Sequence, residues 1–297
     1  MSSACRARSG RRGGAPLAKV RKTTVGSVLV QVPFVIYSIT IVAMVLILIV
    51  TPFRSGDDLA RGLLARPTGF GLGNFHDAFA SGLGDGVRNS FILGASTCAL
   101  TIFLGGIAGY AISFMKFRFR KGLASFMNAC IYVSTMLIAL PLFLQYRDLH
   151  LVNNLLGALL IFLGLRLPFS VYLFKSYFDE FPTELIEAAK MDGVSDMRIF
   201  ASIVFPLSRG VAITVLLFNF SAVWTDYLIG LLFLQQDRLM TIMPKIMTIF
   251  GSGPMVTHAT SLGQGFAGLF VATLPIVIIY FFTKKYYVEG LTLGSLK

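Results

Sequence analysis

The run EAAKMDGVSDMRIFASIVFPL, Glu187 to Leu207, decides how this chain folds. It crowds Glu187, Lys190, Asp192, Asp196 and Arg198 together in a second half that is otherwise strongly apolar. Just upstream, Pro182 suits a first helical turn. Glu184 and Glu187 follow near that N-terminus, where aligned peptide dipoles favour acids. Residues 183–192 are good helix formers, and Gly193 sits where a helix stops, because glycine takes the left-handed conformation at little cost. Ser195 is a natural N-cap for a second helix, with Asp196 behind it. In that helix Phe200, Ile203, Val204 and Leu207 fall at i, i+3, i+4 and i+7, one apolar face. Pro206 ends or bends it. The expected product is a short helix, a glycine turn and a second amphipathic helix.

On either side the chain is greasy. Of 297 residues 55% are hydrophobic and 13% charged, against about 25% charged in soluble domains, and the mean hydropathy is +0.75. A membrane-spanning helix needs about 20 apolar residues. Four stretches qualify outright, near 28–53, 90–115, 122–145 and 263–283. Two more carry one charge each: 152–174 with Arg166, and 208–233 with Asp226. The expectation is an all-α polytopic membrane protein of about six spans, with a helix-turn-helix loop, 182–206, between spans 4 and 5. Pro168 offers a break in span 4. Residues 23–53 carry no charge, too long a run for a cleavable signal core, so they read as an uncleaved first span. Residues 1–27 read as a basic tail, expected to be disordered. Cys5, Cys98 and Cys130 have neither metal-ligand spacing nor the pattern of a disulfide framework.

The net charge of +12 could suggest nucleic acid, but its placement argues otherwise. With the N-terminus inside, the tail, 116–121, 175–209 and 284–297 hold 18 of the 26 Lys and Arg. That asymmetry puts both termini and the 182–206 loop on the cytoplasmic side. The charge is topological, and no nucleic-acid partner is expected. The outer loops are 54–89, Gly-rich and too short for a domain, and 234–262, where Ile242-Met243-Pro244 and Gly251-Ser252-Gly253-Pro254 read as turns.

The residues E-A-A-K-M-D-G followed by Ile203, Phe205 and Pro206 resemble the EAA loop of ABC-importer permeases, with Phe205 where that family usually has Leu. Asn89-Ser90, Ala108-Gly109-Tyr110-Ala111, Pro168-Phe169, Phe181 to Leu185, Trp224-Thr225-Asp226-Tyr227 and the terminal Glu289 to Lys297 are similar to the carbohydrate-uptake branch, of the maltose-permease second-subunit type. The tryptophan motif there is commonly W-N-D-F, so Thr225 and Tyr227 depart from it. The resemblance covers residues 28–297. It implies a subunit that pairs with a second, homologous permease above two ATPase subunits and receives a sugar from an extracytoplasmic binding protein. Glu187, Ala188, Ala189, Asp192, Gly193 and Pro206 would form the ATPase-coupling element. ATP and Mg would sit on the ATPase and no cofactor on this chain, which has no G-x-x-x-x-G-K-[ST] loop.

Arg166, Asn219, Trp224, Asp226 and Tyr227 are the candidate residues of a substrate path. Charges inside spans are costly and tend to face a bundle interior or a wet cavity. Asp226 lies 17 residues past Arg209, about 25 Å along a straight helix. Arg166 lies nine residues before Lys175, about 13 Å, so the two are not expected to pair. Trp224 and Asp226 would point about 200° apart and not serve one pocket. Two other classes fit less well. A membrane enzyme needs several polar groups at one depth, and a secondary transporter shows paired repeats or broken helices in both halves. An importer for an amino acid or phosphate ester remains the alternative within the family.

Overall fold

The computed structural model describes residues 25–63, 65–251 and 258–293, with side chains described for 31–63, 65–251 and 262–284. The basic tail, the Ser252-Gly253-Pro254 turn and the side chains of the Glu289–Lys297 motif fall outside these. Among the described residues the regular structure is helical, apart from one isolated bridge between Arg54 and Phe70. By contacts the chain divides into residues 1–46 and residues 47–297. Helix α1, Val25–Val50, is apolar on every side, and Phe34, Ile36, Tyr37 and Met44 expose their side chains, as suits a lipid-facing span.

The remaining helices are α2 (Gly56–Ala60), α3 (Gly73–Ala80), α4 (Leu83–Phe114), α5 (Arg120–Ile131), α6 (Thr135–Asp148), α7 (Leu155–Asp179), α8 (Thr183–Met191), α9 (Asp196–Leu207), α10 (Arg209–Trp224), α11 (Leu228–Phe233), α12 (Ile242–Gly251) and α13 (His258–Leu293). Four helices are long and apolar enough to cross a membrane, and two bent pairs raise the number to six. Span 3 is one of those pairs: α5 and α6 meet at 100°. The helix breaks at Tyr132–Ser134, ahead of Thr135. The other pair is α9 and α10, bent by 75° at Ser208, two residues after Pro206. Span 4 does not break. Pro168 lies inside a continuous α7, which forgoes one backbone bond there. Span 5 instead breaks twice, at Ser208 and again between Trp224 and Leu228.

One outer-loop reading needs correction, and a second outer loop has more structure than its glycine content suggests. The Ile242-Met243-Pro244 stretch is not a turn but the start of α12, which buries Ile242, Ile246 and Ile249. That i, i+4, i+7 spacing was available in the sequence. A proline in the first turn removes a backbone donor that has no helical partner anyway. The loop 54–72 is likewise built rather than loose. Buried Arg54 donates to the carbonyls of Leu63 (2.5 Å), Asp58 (3.3 Å), Gly62 (3.2 Å) and Ala65 (2.8 Å). The Asp58 carboxylate accepts from the Thr68 backbone N–H and hydroxyl at 2.9 and 2.8 Å. Those bonds, the backbone one first, hold it below the usual aspartate range. Their support for the loop is therefore complete above the ordinary pKa and fades as pH falls through the lowered one.

The centre of the second unit is the α4–α7 seam. A Cβ on Gly105 would meet Ser170 Cβ at 2.8 Å, and one on Gly109 would meet Phe174 Cβ at 2.8 Å and Lys175 N at 3.1 Å. In lipid, helices associate by close packing rather than by burial from water, and small residues four apart let backbones approach. Helix α10 closes the third side, with Phe220 against Gly94. Three aromatic-rich clusters fill the interior, around Trp224, around Phe174 and Phe178, and around Phe162 and Phe233. We expect Gly109→Val to lower unfolding stability by about 1–3 kcal/mol, the range for overpacking. Gly164→Ala, in the middle of α7 with nothing within 4 Å of the new methyl, should raise it by up to about 1 kcal/mol. Thermal unfolding midpoints of the purified chain check both signs.

Candidate functional site

The segment Glu187 to Leu207 folds into the helix, turn and helix that its pattern specifies. Helix α8 begins after Pro182 and carries Glu184 in its first turn and Lys190 in its last. Its C-terminus is a Schellman turn. Gly193 has φ +74°, its N–H donates to Lys190 O at 3.0 Å, and Val194 N–H donates to Ala189 O at 3.1 Å. Ser195 precedes α9 in extended conformation, though its side chain makes no cap bond. Lys190 Nζ pairs with Asp196 at 2.9 Å across the turn, and Tyr110 of α4 donates to the same carboxylate at 3.4 Å. Inside α9 one wide turn, Phe200–Val204, is a π-bulge, and its extra residue adjusts the register ahead of Pro206.

Burial divides α8 by face. Glu184, Glu187, Ala188 and Met191, at i, i+3, i+4 and i+7, are exposed, Met191 by 88%. Ile186 and Ala189 are buried. They pack into a cluster with Tyr110, Phe174, Phe178, Ile199, Phe200, Val204 and Val215, drawn from α4, α7, α9 and α10. Tyr110, Phe178 and Phe200 meet ring to ring at 5.4–6.5 Å between centroids. The pair Ala188-Ala189 therefore splits its work, one methyl outward and one into the floor of the bundle. Asp192, Gly193 and Pro206 are exposed. The outcome is a solvent-facing ridge bearing Glu184, Glu187, Ala188 and Met191, fastened to the spanning helices by aromatic packing.

The candidate path residues fall into two groups. Asn219, 1% exposed, donates to Thr101 Oγ1 and Ser170 Oγ, both at 2.9 Å. Thr101 passes its proton to Thr97 O at 2.7 Å, and Ser170 to Arg166 O at 3.0 Å. This chain of bonds locks α4, α7 and α10 together and leaves the Asn219 amide N–H groups occupied. Trp224 is 1% exposed, donates to Ala272 O at 2.8 Å and stacks on Phe220 at 5.5 Å and 17°. Its indole is buried in the α10–α13 contact.

Arg166, Asp226 and Tyr227 form the second group. Asp226 sits in the break after α10, where one carboxylate oxygen accepts the Ile229 and Gly230 N–H groups at 2.8 and 3.3 Å. It lies one residue before the N-cap position of α11, which is Tyr227, and its side chain satisfies first-turn donors that have no helical partner. Tyr227 is exposed by 42%. Arg166 and Asp226 lie close enough to act on each other electrostatically, although no ion pair within 4.0 Å joins them among the described residues. The two therefore make no direct pair, although their depths differ by less than counts from the inner helix ends suggest. The bend at Ser208 tilts α10 so that depths counted from its first residue mislead. Counted from the Asn219–Ser170 hydrogen bond, Arg166 is four residues on and Asp226 seven, a difference of about 5 Å in rise that an arginine side chain spans.

Residues missed from the sequence are those that fix α12. Asn89 Nδ2 donates to Arg238 O and Met240 O at 2.9 and 3.1 Å, and the Ser90 hydroxyl accepts Ile242 N–H at 2.8 Å. Lys245, 3% exposed, reaches Asp237 at 2.6 Å.

A bundle of apolar helices, one of them bent out of an exposed helix-turn-helix ridge, defines a polytopic membrane protein. Residues 101–290 match the family described as the binding-protein-dependent transport system inner membrane component. The chain belongs to that family. It is 29% identical over 280 residues to the probable ABC transporter permease protein YurM of Bacillus subtilis, covering 93% of this chain and 91% of that one. It is 30% identical over 261 residues to the maltodextrin transport system permease protein MalD of Streptococcus pneumoniae, covering 87% and 91%. Its fold is shared with a chain of a bacterial ABC transporter involved in the import of the acidic polysaccharide alginate, at TM-score 0.73 and 20% identity over 89% of this chain and 96% of that one. The protein is a multi-pass inner-membrane permease subunit of an ABC importer, a transport component rather than an enzyme, with ATP hydrolysis on separate subunits.

Double-mutant cycles test the polar lock. Asn219→Leu with Ser170→Ala should give a coupling energy of about 0.6–1.7 kcal/mol, as interhelical hydrogen bonds in membranes do. Asn219→Leu with Thr68→Ala, in the 54–72 loop, should give none. Chemical unfolding in micelles reads both.

Proposed function

We propose that this chain forms half of the translocation path for a sugar or oligosaccharide, with the α8 ridge as the element that an ATPase subunit grips from the cytoplasm. The observation that carries the coupling role is the division of α8: an exposed face of Glu184, Glu187, Ala188 and Met191 opposite a buried face anchored on α4, α7 and α10. A partner that moves the ridge moves those helices with it, because close-packed interiors transmit displacement rather than absorb it. Small Ala188 lets another backbone approach, and Glu187 and Asp192 offer charged contacts at the rim. Kinship with a maltodextrin permease supports the sugar reading. The Lys and Arg distribution supports cytoplasmic termini. A second permease subunit, two ATPases and an extracytoplasmic binding protein complete the proposed assembly, and alternating access is its mechanism. Within it, the neighbouring charges of Arg166 and Asp226 beside exposed Tyr227 are the polar groups that this chain offers to a solute.

Expression with the subunits encoded beside it tests the reading. Wild-type chain should co-purify an ATPase and support ATP-dependent uptake of labelled maltodextrin into vesicles. Glu187→Lys with Gly193→Pro should still insert but lose the ATPase, since proline cannot adopt φ +74°. Retention of the ATPase by the double variant overturns the coupling role. Uptake of labelled amino acids in place of maltodextrin overturns the sugar assignment alone. A milder variant grades the turn. Gly193→Ala should weaken coupling by about 1–2 kcal/mol of left-handed strain, and Gly193→Asn by less. A Met191→Cys variant should react with an impermeant maleimide in inside-out vesicles and not in right-side-out ones.

A further inference from the structure

The short connection between α4 and α5 carries Lys116, Arg118, Arg120 and Lys121 within six residues, interleaved with Phe117 and Phe119. Topology asks only that this segment be basic, and gives no task to the way its side chains are gathered. The structure gathers these groups round a cleft of about 500 Å³ lined by Lys116, Phe117, Arg118, Arg120 and Lys121. A second cleft of about 410 Å³ adjoins it, sharing Arg120 and Lys121 and adding Ile112, Ala124 and Lys175 of α7. Five cations thus face two connected spaces at the end of the α4–α7 seam.

Their charge is poorly compensated. Among the described residues no carboxylate pairs with Lys116, Arg118, Arg120 or Lys121. The acid close by, Asp179, is already engaged by Lys175 at 2.5 Å and by the Ser113 hydroxyl at 2.9 Å. Arg120 spends one N–H on Ser113 O at 2.8 Å. Arg120 and Lys121 also occupy the first turn of α5, which has no acid. That is the positive end of a helix, where cations are disfavoured. An arrangement this costly invites an anion. The rim is apolar: Phe119 is exposed by 74%, Phe126 by 61%, Phe117 by 40% and Leu123 by 36%. Helix α5, the half of span 3 that begins at this basic cluster, meets α6 at 100° and brings aromatic and aliphatic side chains to the cleft.

We propose that this cleft binds the phosphate of an anionic phospholipid headgroup, with its acyl chains lying along Phe117, Phe119, Leu123 and Phe126. A soluble anion would satisfy the cations but leave these rings exposed, Phe119 having only the Arg118 guanidinium over its face at 5.9 Å. A lipid satisfies both at the end of the bundle where helices leave the bilayer. Basic pockets between membrane helices are a known physical basis for such recognition. The inference rests only on the chain being a membrane protein and stands or falls apart from the sugar and coupling roles.

The test is native mass spectrometry of the purified full chain after exchange into matched phosphatidylglycerol and phosphatidylcholine. Wild type should retain phosphatidylglycerol in preference to phosphatidylcholine. Lys116→Gln, Arg118→Gln and Lys121→Gln together leave the Arg120–Ser113 hydrogen bond in place. Each basic residue near an anionic surface contributes about a factor of five, so the triple variant should weaken retention about a hundredfold. Arg147→Gln, in an exposed pair with Asp148, should change nothing. Retention by wild type should also fall as salt rises from about 0.05 to about 0.5 M, as screening requires. That readout needs no variant to insert. Equal retention of the two lipids, a salt-independent level, or a triple variant that binds as wild type does would each overturn the proposal. So would displacement of the lipid by inorganic phosphate at matched ionic strength, which would mark a site for a soluble anion.

Discussion

Everything in the second unit depends on how closely α4 and α7 approach. At Gly105 and Gly109 no side chain fits between them, and the backbone of one helix lies against the side-chain bases of the other. Such contact is what membrane helices have in place of a hydrophobic drive to associate. It also sets the register. With the seam fixed, Thr101 and Ser170 face each other across it, and Asn219 of α10 bridges the two hydroxyls. A buried amide between three helices is tolerated only at one alignment, because displacement leaves donors unpaired in a medium without water. Shape therefore brings the helices together and hydrogen bonding selects their heights.

The same seam prepares the ridge. Gly109 is followed by Tyr110, and Phe174 and Phe178 stand one turn apart on α7, so the close approach delivers three rings to one end of the bundle. Ile186, Ala189 and Phe200 settle on them. The loop between spans 4 and 5 is consequently an extension of the core rather than a tether. Its rigidity has a local basis too, in hydrogen bonds and an ion pair. The Schellman turn at Gly193, the Lys190–Asp196 pair and the π-bulge before Pro206 each remove a freedom that would let α8 move without α10. The 75° corner at Ser208 is where this stiffened segment joins α10.

The sequence showed these local features plainly because each is written in residues a few positions apart. The i, i+3, i+4, i+7 spacing of Phe200 to Leu207, the glycine stop and the apolar run lengths all have local causes. What it hid were consequences of distance. Nothing near Asn219 says that its partners are Thr101 and Ser170, 118 and 49 residues away. Nothing near Tyr132 says that span 3 turns through 100° there. Depth counts along ideal helices separated Arg166 from Asp226, and a bend outside both helices' counted stretch undid the arithmetic. Helix α12 was legible and was passed over because Pro244 was read as a turn former, although the isoleucine spacing and the first-turn position of that proline argue for a helix.

The two ionisable residues within the spans then take on different meanings. Asp226 is held by backbone N–H groups at a helix start, so its charge has a local use whatever passes by. Arg166 has no such occupation. Its Nε is buried without a partner, and the nearest stated influence on it is the Asp226 field. An arginine kept half-way along a membrane helix, attracted to a carboxylate it does not touch, is an unfinished ion pair. Ion pairs finish when geometry allows, because burying the separated charges is the more expensive state. Helix α7, which carries Arg166, and α10, just beyond whose end Asp226 sits, are two of the helices on which the ridge is mounted. A shift of one against the other changes the separation of these charges, so the same movement that the ridge transmits would strengthen or relax their attraction in the middle of the bundle.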